Sequence, residues 1–179
     1  MEVELDGAPW RSVPVEAVVR AGLAVGRPLD RPTARTLARE LRRSRALARA
    51  TRALAARDRS RRALDERLAR AGTPETARAE AIAALEGAGL VDDARVAHSR
   101  ARVLAERCYG DAAIRDGLER EGVGAAEVEA ALAALEPEPA RARRLLGDGP
   151  PDPRALRRLA ARGFDPETIA ELAPFADSA

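Results

Sequence analysis

The segment LDERLARAG at residues 64–72 decides the fold, because the chain repeats its pattern twice. The related segments are IRDGLEREG at residues 114–122 and ALRRLAARG at residues 155–163. In each copy a leucine precedes a glycine by four residues, and another apolar residue lies four positions earlier. Residues four apart share one face of a helix, and glycine commonly follows a helix end. The pattern therefore predicts three equivalent helices, each stopped by a glycine.

A further helix is predicted directly after each of these glycines. Thr73-Pro74-Glu75 and Asp165-Pro166-Glu167 both have the order of an N-cap residue, a proline at the first helical position and an acid in the first turn. In the middle copy, Gly124 is predicted to precede the helix and Glu127 to supply the acid in its first turn. A leading helix precedes each pair, at about residues 31–57, 92–107 and 138–146. The repeating unit is thus a three-helix module that occurs three times.

The start of the chain differs from the repeats. Asp6-Gly7 lies between short apolar segments, which predicts a β-hairpin over about residues 2–13, followed by a short helix that Gly22 ends. Trp10 is expected to pack the hairpin onto that helix. The predicted fold is all-α, with three tandem three-helix modules in an elongated array and a short N-terminal β-hairpin. The predicted segments are residues 1–29 for the hairpin and short helix, 30–90 for a basic first module, 91–136 for the second and 137–179 for the third.

The composition separates a basic part of the chain from an acidic part. Aromatic residues make up 2% of the chain and all 31 basic residues are arginine, so the core must consist of Leu, Val, Ile and Ala. Residues 20–70 hold sixteen arginines and five acids, a net charge of +11, whereas residues 71–179 carry −6. This asymmetry indicates that one part of the chain contacts a polyanion. Solvated helix faces are the alternative interpretation of the same arginines.

The sequence offers no chemistry of the catalytic or metal-binding kind. Cys108 and His98 are the single cysteine and histidine, which argues against an intrachain disulfide and a Cys/His metal site. Asp92-Asp93 could bind a metal, but capping of a helix start is the favoured interpretation. No phosphate loop or nucleophile triad is present, so an enzyme is not expected. Without a membrane-length apolar run or a signal peptide, we expect a soluble, cytoplasmic protein.

The densest basic element joins two predicted helices, and Ser60 is a plausible N-cap at this junction. Such a junction can bind phosphate groups or an acidic protein groove, or it can simply be solvated. The candidate binding residues at and after the junction are Arg57, Arg59, Arg61, Arg62, Arg67 and Arg70.

Several motifs in the chain resemble those of the RecX family, over about residues 30–177. The first runs from Arg57 through Ser60, Leu64 and Leu68 to Gly72 and has the form R-x-R-S-x-x-x-L-x-x-x-L-x-x-x-G. The second resembles G-L-[IV]-D-D-x-R-F-A and consists of Gly89, Leu90, Val91, Asp92, Asp93, Ala94, Arg95, Val96 and Ala97. The third includes Gly110, Ile114, Leu118, Gly122 and Val123, and the ending of the family is matched by Arg162, Gly163, Phe164, Ile169 and the segment 174–177. Val96 stands where the family has Phe, and Asp111 stands where Pro is common.

The resemblance implies a curved array of three modules that binds the RecA filament along its groove. RecX proteins inhibit strand exchange and coprotease activity, so they modulate homologous recombination, DNA repair and the SOS response. The resemblance implies no cofactor and no catalytic residue. RecA is the expected partner, with single- or double-stranded DNA as a secondary, non-specific one. No membrane partner is expected, and the protein is expected to be a monomer.

Two other functions fit the residues less well. One alternative is a helix-turn-helix regulator, because the glycine-linked helix pairs resemble that motif. Such a protein would bind duplex DNA specifically, without RecA. An adaptor built from helical repeats would have no role at DNA.

Overall fold

The computed structural model describes residues 1–147 and 152–173, and the family-like ending at residues 174–177 lies outside them. The chain forms two compact units. The first consists of Met1–Asp58 and Ala63–Val91, and the second consists of Arg59–Arg62 and the chain from Asp92 onward.

The order of helices and strands confirms the predicted fold class. A two-stranded antiparallel sheet comes first, and three sets of three helices follow a short helix. The bounds are β1 Glu2–Leu5, β2 Ala8–Ser12, α1 Val15–Ala21, α2 Arg31–Ala56, α3 Arg61–Arg70, α4 Glu75–Gly87, α5 Asp93–Glu106, α6 Asp111–Arg120, α7 Ala125–Ala133, α8 Glu138–Leu146, α9 Pro153–Ala161 and α10 Pro166–Leu172. The division into residues 1–29, 30–90, 91–136 and 137–179 stays a prediction.

Local chemistry accounts for the main helix and turn boundaries. Asp30 caps α2 by accepting a hydrogen bond of 2.8 Å from the amide of Thr33, and the hydrogen bonds from Thr33 hold the pKa of Asp30 below its ordinary value. The hairpin turns at Asp6 and Gly7, whose φ angles are 53° and 80°. Two consecutive positive φ angles are typical of the type I′ turn that suits a twisted hairpin.

The first unit has an alanine-rich core around the 26-residue helix α2. At its N-terminal half, Leu37 packs with Ala17 of α1. Further along α2, Ala46 packs against Ala81 of α4, and both are fully buried. Small side chains let two helices approach closely, so alanine here replaces the large side chains that the chain lacks.

The second unit buries the residues that the repeat predicted. Ile114 and Leu118 of α6 are fully buried and pack with Val96 of α5 and Val128 of α7. Leu159 of α9 occupies the corresponding position in a cluster with Ala142 and Phe164. The leucine before each stop glycine is therefore a core residue in the copies of this unit.

Two sequence predictions need correction. Trp10 does not pack the hairpin onto α1; it is 36% exposed and lies beneath the guanidinium of Arg11, 4.2 Å from the ring centroid. The apolar contact is made instead by Val3 and Val13, which belong to the cluster around Ala17. Thr73 is not the N-cap of α4, because Pro74 occupies that position and no side chain caps the helix.

Within residues 1–147 and 152–173, no helix combines the length and the apolar character that crossing a membrane would need.

Replacing Leu118 by alanine should lower the free energy of unfolding by about 2–5 kcal/mol, because a fully buried leucine leaves a cavity. Urea denaturation followed by circular dichroism measures the loss. Val19→Ala is the matched control, because Val19 is 70% exposed on α1 and should change stability by less than about 0.5 kcal/mol. Equal losses for both variants would contradict the assignment of Leu118 to the core.

Candidate polyanion-binding surface

The structure places the six predicted arginines in different settings. Arg57 is exposed directly after α2, and Arg67 and Arg70 are exposed on α3 within the first unit. Arg59 is half-buried and belongs to the second unit. The other two, Arg61 and Arg62, are exposed but group with Arg59, and all three are engaged in interactions within the chain.

The six arginines of α2 from Arg39 to Arg52 fall into two groups. Arg39 and Arg43 lie near the acids of the first unit: Arg39 forms an ion pair of 2.8 Å with Glu80 of α4, and Arg43 lies 3.7 Å from Glu40. These cations are neutralised where α2 meets α4. The second group comprises Arg42, Arg45, Arg49 and Arg52, which are exposed and form no ion pair within the part of the chain that the structure describes.

Two arginines of the second group meet two of the predicted residues in a solvent-facing concavity. Arg49 and Arg52 of α2 and Arg67 and Arg70 of α3 line a volume of about 540 Å³. Its remaining lining residues are Ala53, Leu68 and Ala71. We name this feature the arginine concavity.

The sequence analysis did not include Arg49 and Arg52 among the candidate residues. The available signal was their spacing: each arginine pair, 49/52 and 67/70, is separated by three residues and so lies on one face of its helix. That spacing does not show that the arginine face of α2 lies next to the arginine face of α3, because this depends on how the two helices pack.

One ion pair joins α3 to α4. Asp65 of α3 accepts a hydrogen bond of 2.8 Å from Nε of Arg78 in α4, and this bond raises the pKa of Arg78 above its ordinary value. Arg78 also donates to the carbonyl of Thr73, at 3.0 Å. Arg78 therefore joins α3 to the α3–α4 turn, and Asp65 is not among the residues that line the arginine concavity.

The family-like residues near Ser60 are structural contacts of the second unit. The hydroxyl of Ser60 donates to the carbonyl of Glu121 at 2.6 Å, and the amide of Arg61 donates to Asp93 at 2.7 Å. A Cβ built on Gly122 would lie 3.0 Å from the Cβ of Arg62, so a side chain there would crowd this contact. Ser60, Asp93 and Gly122 thus hold one junction together.

The same junction recurs at Gly110. Its amide donates to the carbonyl of Arg162 at 2.9 Å, and a Cβ on Gly110 would overlap the backbone of Gly163. The amide of Asp111 donates to Glu138 at 2.6 Å, as the amide of Arg61 does to Asp93. In both places an acid in the first turn of a leading helix receives the first amide of another helix.

A buried ion network reinforces the second copy of the junction. Arg141 is 1% exposed and donates to the carbonyls of Glu136 and Tyr109, at 3.0 and 2.7 Å, and to the carboxylate of Asp111. Glu138 also accepts hydrogen bonds from the amide of Asp165 and the hydroxyl of Thr168. Buried charges of this kind are stable only when they are paired and hydrogen-bonded. Within the described residues every buried side-chain nitrogen and oxygen has a hydrogen-bond partner.

The remaining family-like residues mark helix ends. Asp92 caps α5 through the amide of Arg95 at 2.9 Å, as the capping interpretation predicted. Gly89 follows α4 with a φ of 67°, and Leu90 is 51% exposed with its amide bonded to the carbonyl of Leu85. Within the described residues no cluster of three or more His, Cys, Asp or Glu side chains is placed to hold a metal ion.

Comparison with known proteins gives a consistent result. No family model matches the chain. It is 35% identical over 135 residues to the regulatory protein RecX of Acidithiobacillus ferrooxidans, covering 73% of this chain and 89% of that protein. It is also 35% identical over 141 residues to the regulatory protein RecX of Stenotrophomonas maltophilia, covering 73% and 86%.

Solved structures show the same fold. A crystal structure of regulatory protein RecX matches with a TM-score of 0.82 and 21% identity, over 96% of this chain and 92% of that one. The structure of RecX from Lactobacillus salivarius matches with a TM-score of 0.65 and 20% identity, over 73% and 94%. The chain is therefore a helical-repeat protein of a regulatory class. It belongs to the RecX family.

Gly110→Ala should destabilise the second unit by roughly 1–3 kcal/mol, because the added Cβ must displace the backbone of Gly163. Gly87→Ala is the control: nothing lies within 4 Å of its added Cβ and it ends a helix with an ordinary φ. That substitution should be neutral or stabilising by up to about 1 kcal/mol. Thermal unfolding of both variants measures the difference, and an unchanged Gly110→Ala protein would refute the close approach.

Proposed function

We propose that this protein binds the RecA nucleoprotein filament and inhibits the ATPase, strand-exchange and coprotease activities of RecA. Membership of the RecX family carries the proposal. In this function the protein would modulate homologous recombination and the SOS response, without a cofactor and as a monomer in the cytoplasm, where RecA acts.

The charge distribution supports an electrostatic and steric mechanism. The arginines predicted as the binding residues lie in a part of the chain with a net charge of +11 over residues 20–70, suited to acidic RecA surface or to DNA phosphate. The acidic later part, at −6 over residues 71–179, would reach an adjoining RecA protomer. Bridging of protomers would block entry of the duplex or favour loss of the filament.

The test is the DNA-dependent ATPase of RecA from the same source, on single-stranded DNA. Addition of this protein well below one molecule per RecA protomer should inhibit hydrolysis, because one bound molecule affects several filament subunits. An unrelated helical protein of similar size and charge is the control. No inhibition at equimolar protein would overturn the proposal.

Reversing the charges of Arg61 and Arg62 should raise the half-inhibitory concentration roughly tenfold and make inhibition less sensitive to salt. Both side chains are exposed at the start of α3, but both are also engaged in interactions within the chain. Circular dichroism and thermal unfolding must therefore show that Arg61→Glu with Arg62→Glu keeps its helices before its inhibition is compared. The control is Arg154→Glu with Arg157→Glu, an exposed pair on α9 that should stay within about twofold of the unsubstituted protein.

Equal effects from the two pairs would refute the placement of the RecA contact at residues 61 and 62. Tight sequence-specific binding to duplex DNA, with no effect on RecA, would instead favour the helix-turn-helix alternative.

A further inference from the structure

The arginine concavity combines a dense positive charge with a floor that is already packed. Four arginines line it, and Ala53 and Leu68 of its floor are 5% and 2% exposed. Apart from the exposed Ala71, the surface therefore offers a ligand the guanidinium groups and the stems of the arginines. No acidic and no aromatic residue lines the concavity within the part of the chain that the structure describes.

The guanidinium groups are available in different degrees. Arg67 and Arg70 form no hydrogen bond or ion pair through their side chains within residues 1–147 and 152–173. Arg49 is held in place by Nη1, which donates to the carbonyl of Ala71 at 2.8 Å and to the hydroxyl of Thr73 at 3.3 Å. Arginine has five N–H donors, so Arg49 retains donors for a ligand while its position is set by the protein.

The chemistry of the lining favours phosphate groups. Guanidinium groups bind phosphate and carboxylate with paired hydrogen bonds. An acidic protein segment ordinarily adds aromatic or aliphatic anchors. Of the apolar residues that line the concavity only Ala71 is exposed, so such an anchor would find few apolar partners. Reading of bases needs aromatic faces for stacking or side chains that match base edges, and the lining of Arg, Ala and Leu offers no aromatic face.

We propose that the arginine concavity is a phosphodiester-backbone site, which holds a nucleic-acid strand through its phosphates without reading its bases. Arg67 and Arg70 bind phosphate oxygens from α3, and Arg49 and Arg52 bind them from the facing side of α2. This inference deepens the proposed function, since it assigns one of the two polyanions considered there to this part of the basic surface. It requires binding to DNA in the absence of RecA.

The experiment measures fluorescence anisotropy of a labelled single-stranded oligonucleotide with the full-length protein and no RecA. A second oligonucleotide of the same length and backbone carries abasic sugars in place of most nucleotides. The abasic strand should bind within about twofold of the intact strand, because stacking would otherwise contribute about 1–3 kcal/mol per base.

The test variant is Arg67→Gln with Arg70→Gln, which removes two charges whose side chains form no hydrogen bond or ion pair with the described residues. Its affinity should fall roughly tenfold, and the slope of log K against log salt should become shallower by roughly 1.4, which is two phosphate contacts on a single strand. The matched control is Arg154→Gln with Arg157→Gln, an exposed pair with the same three-residue spacing on α9. Circular dichroism verifies that both variants keep their helices.

Several outcomes would overturn the inference. These are the absence of oligonucleotide binding at about 50 mM salt, a loss of more than about tenfold with the abasic strand, or equal effects of the test and control pairs. Loss of RecA inhibition by the test variant with unchanged oligonucleotide affinity would assign the concavity to an acidic protein surface instead. Oligonucleotide binding that follows the expected pattern, without any inhibition of RecA, would support the phosphodiester-backbone site. It would overturn only the proposed function.

Discussion

Each three-helix module depends on one left-handed glycine between its second and third helices. Gly72, Gly122 and Gly163 have φ angles of 70°, 81° and 75°, which a residue with a Cβ rarely adopts. This geometry lets the next amide donate back to the leucine carbonyl four positions before each glycine, at 3.0, 3.1 and 3.2 Å. It also turns Thr73, Val123 and Phe164 into the interior, where they are 6%, 6% and 3% exposed. The third helix of each module can therefore pack back on the leucines that precede the turn.

The second unit uses buried charge to join helix ends. The carboxylate of Glu138 receives the first amide of α6 and the amide before α10, so one side chain satisfies two helix starts. Asp93 receives the first amide of α3 in the same manner. At the start of α9 the equivalent position is Pro153, which has no amide hydrogen to satisfy. The departure from the family pattern at Asp111 has a function here, because a proline would remove the amide that Glu138 binds.

The separation of paired from unpaired arginines connects the packing to the proposed function. The same helix, α2, carries Arg39 and Arg43 next to glutamates and carries Arg49 and Arg52 away from them. A paired arginine contributes to packing but adds little net field, whereas an unpaired one attracts anions. Within the described residues, Arg52, Arg67 and Arg70 form no ion pair, and Arg49 bonds only to uncharged oxygens. Their charge is therefore available for a polyanionic partner, which is the requirement of both proposals.

The sequence by itself determined the elements whose causes are local. The Asp6-Gly7 turn, the Asp92 cap and the three glycine stops each depend on residues within a few positions, so the local sequence predicted them. The leucine pattern likewise predicted the buried face of α3, α6 and α9, because four-residue spacing maps directly onto a helix face.

Only the tertiary structure decided the features that join distant residues. Glu138 and Arg141 are charged and would be assigned to the surface from sequence, yet partners about thirty positions away make their burial stable. Arg49 and Arg52 join Arg67 and Arg70 because α2 and α3 pack with those faces adjacent. Periodicity specifies which face of a helix is polar, but the neighbour of that face is set by the packing of the whole unit.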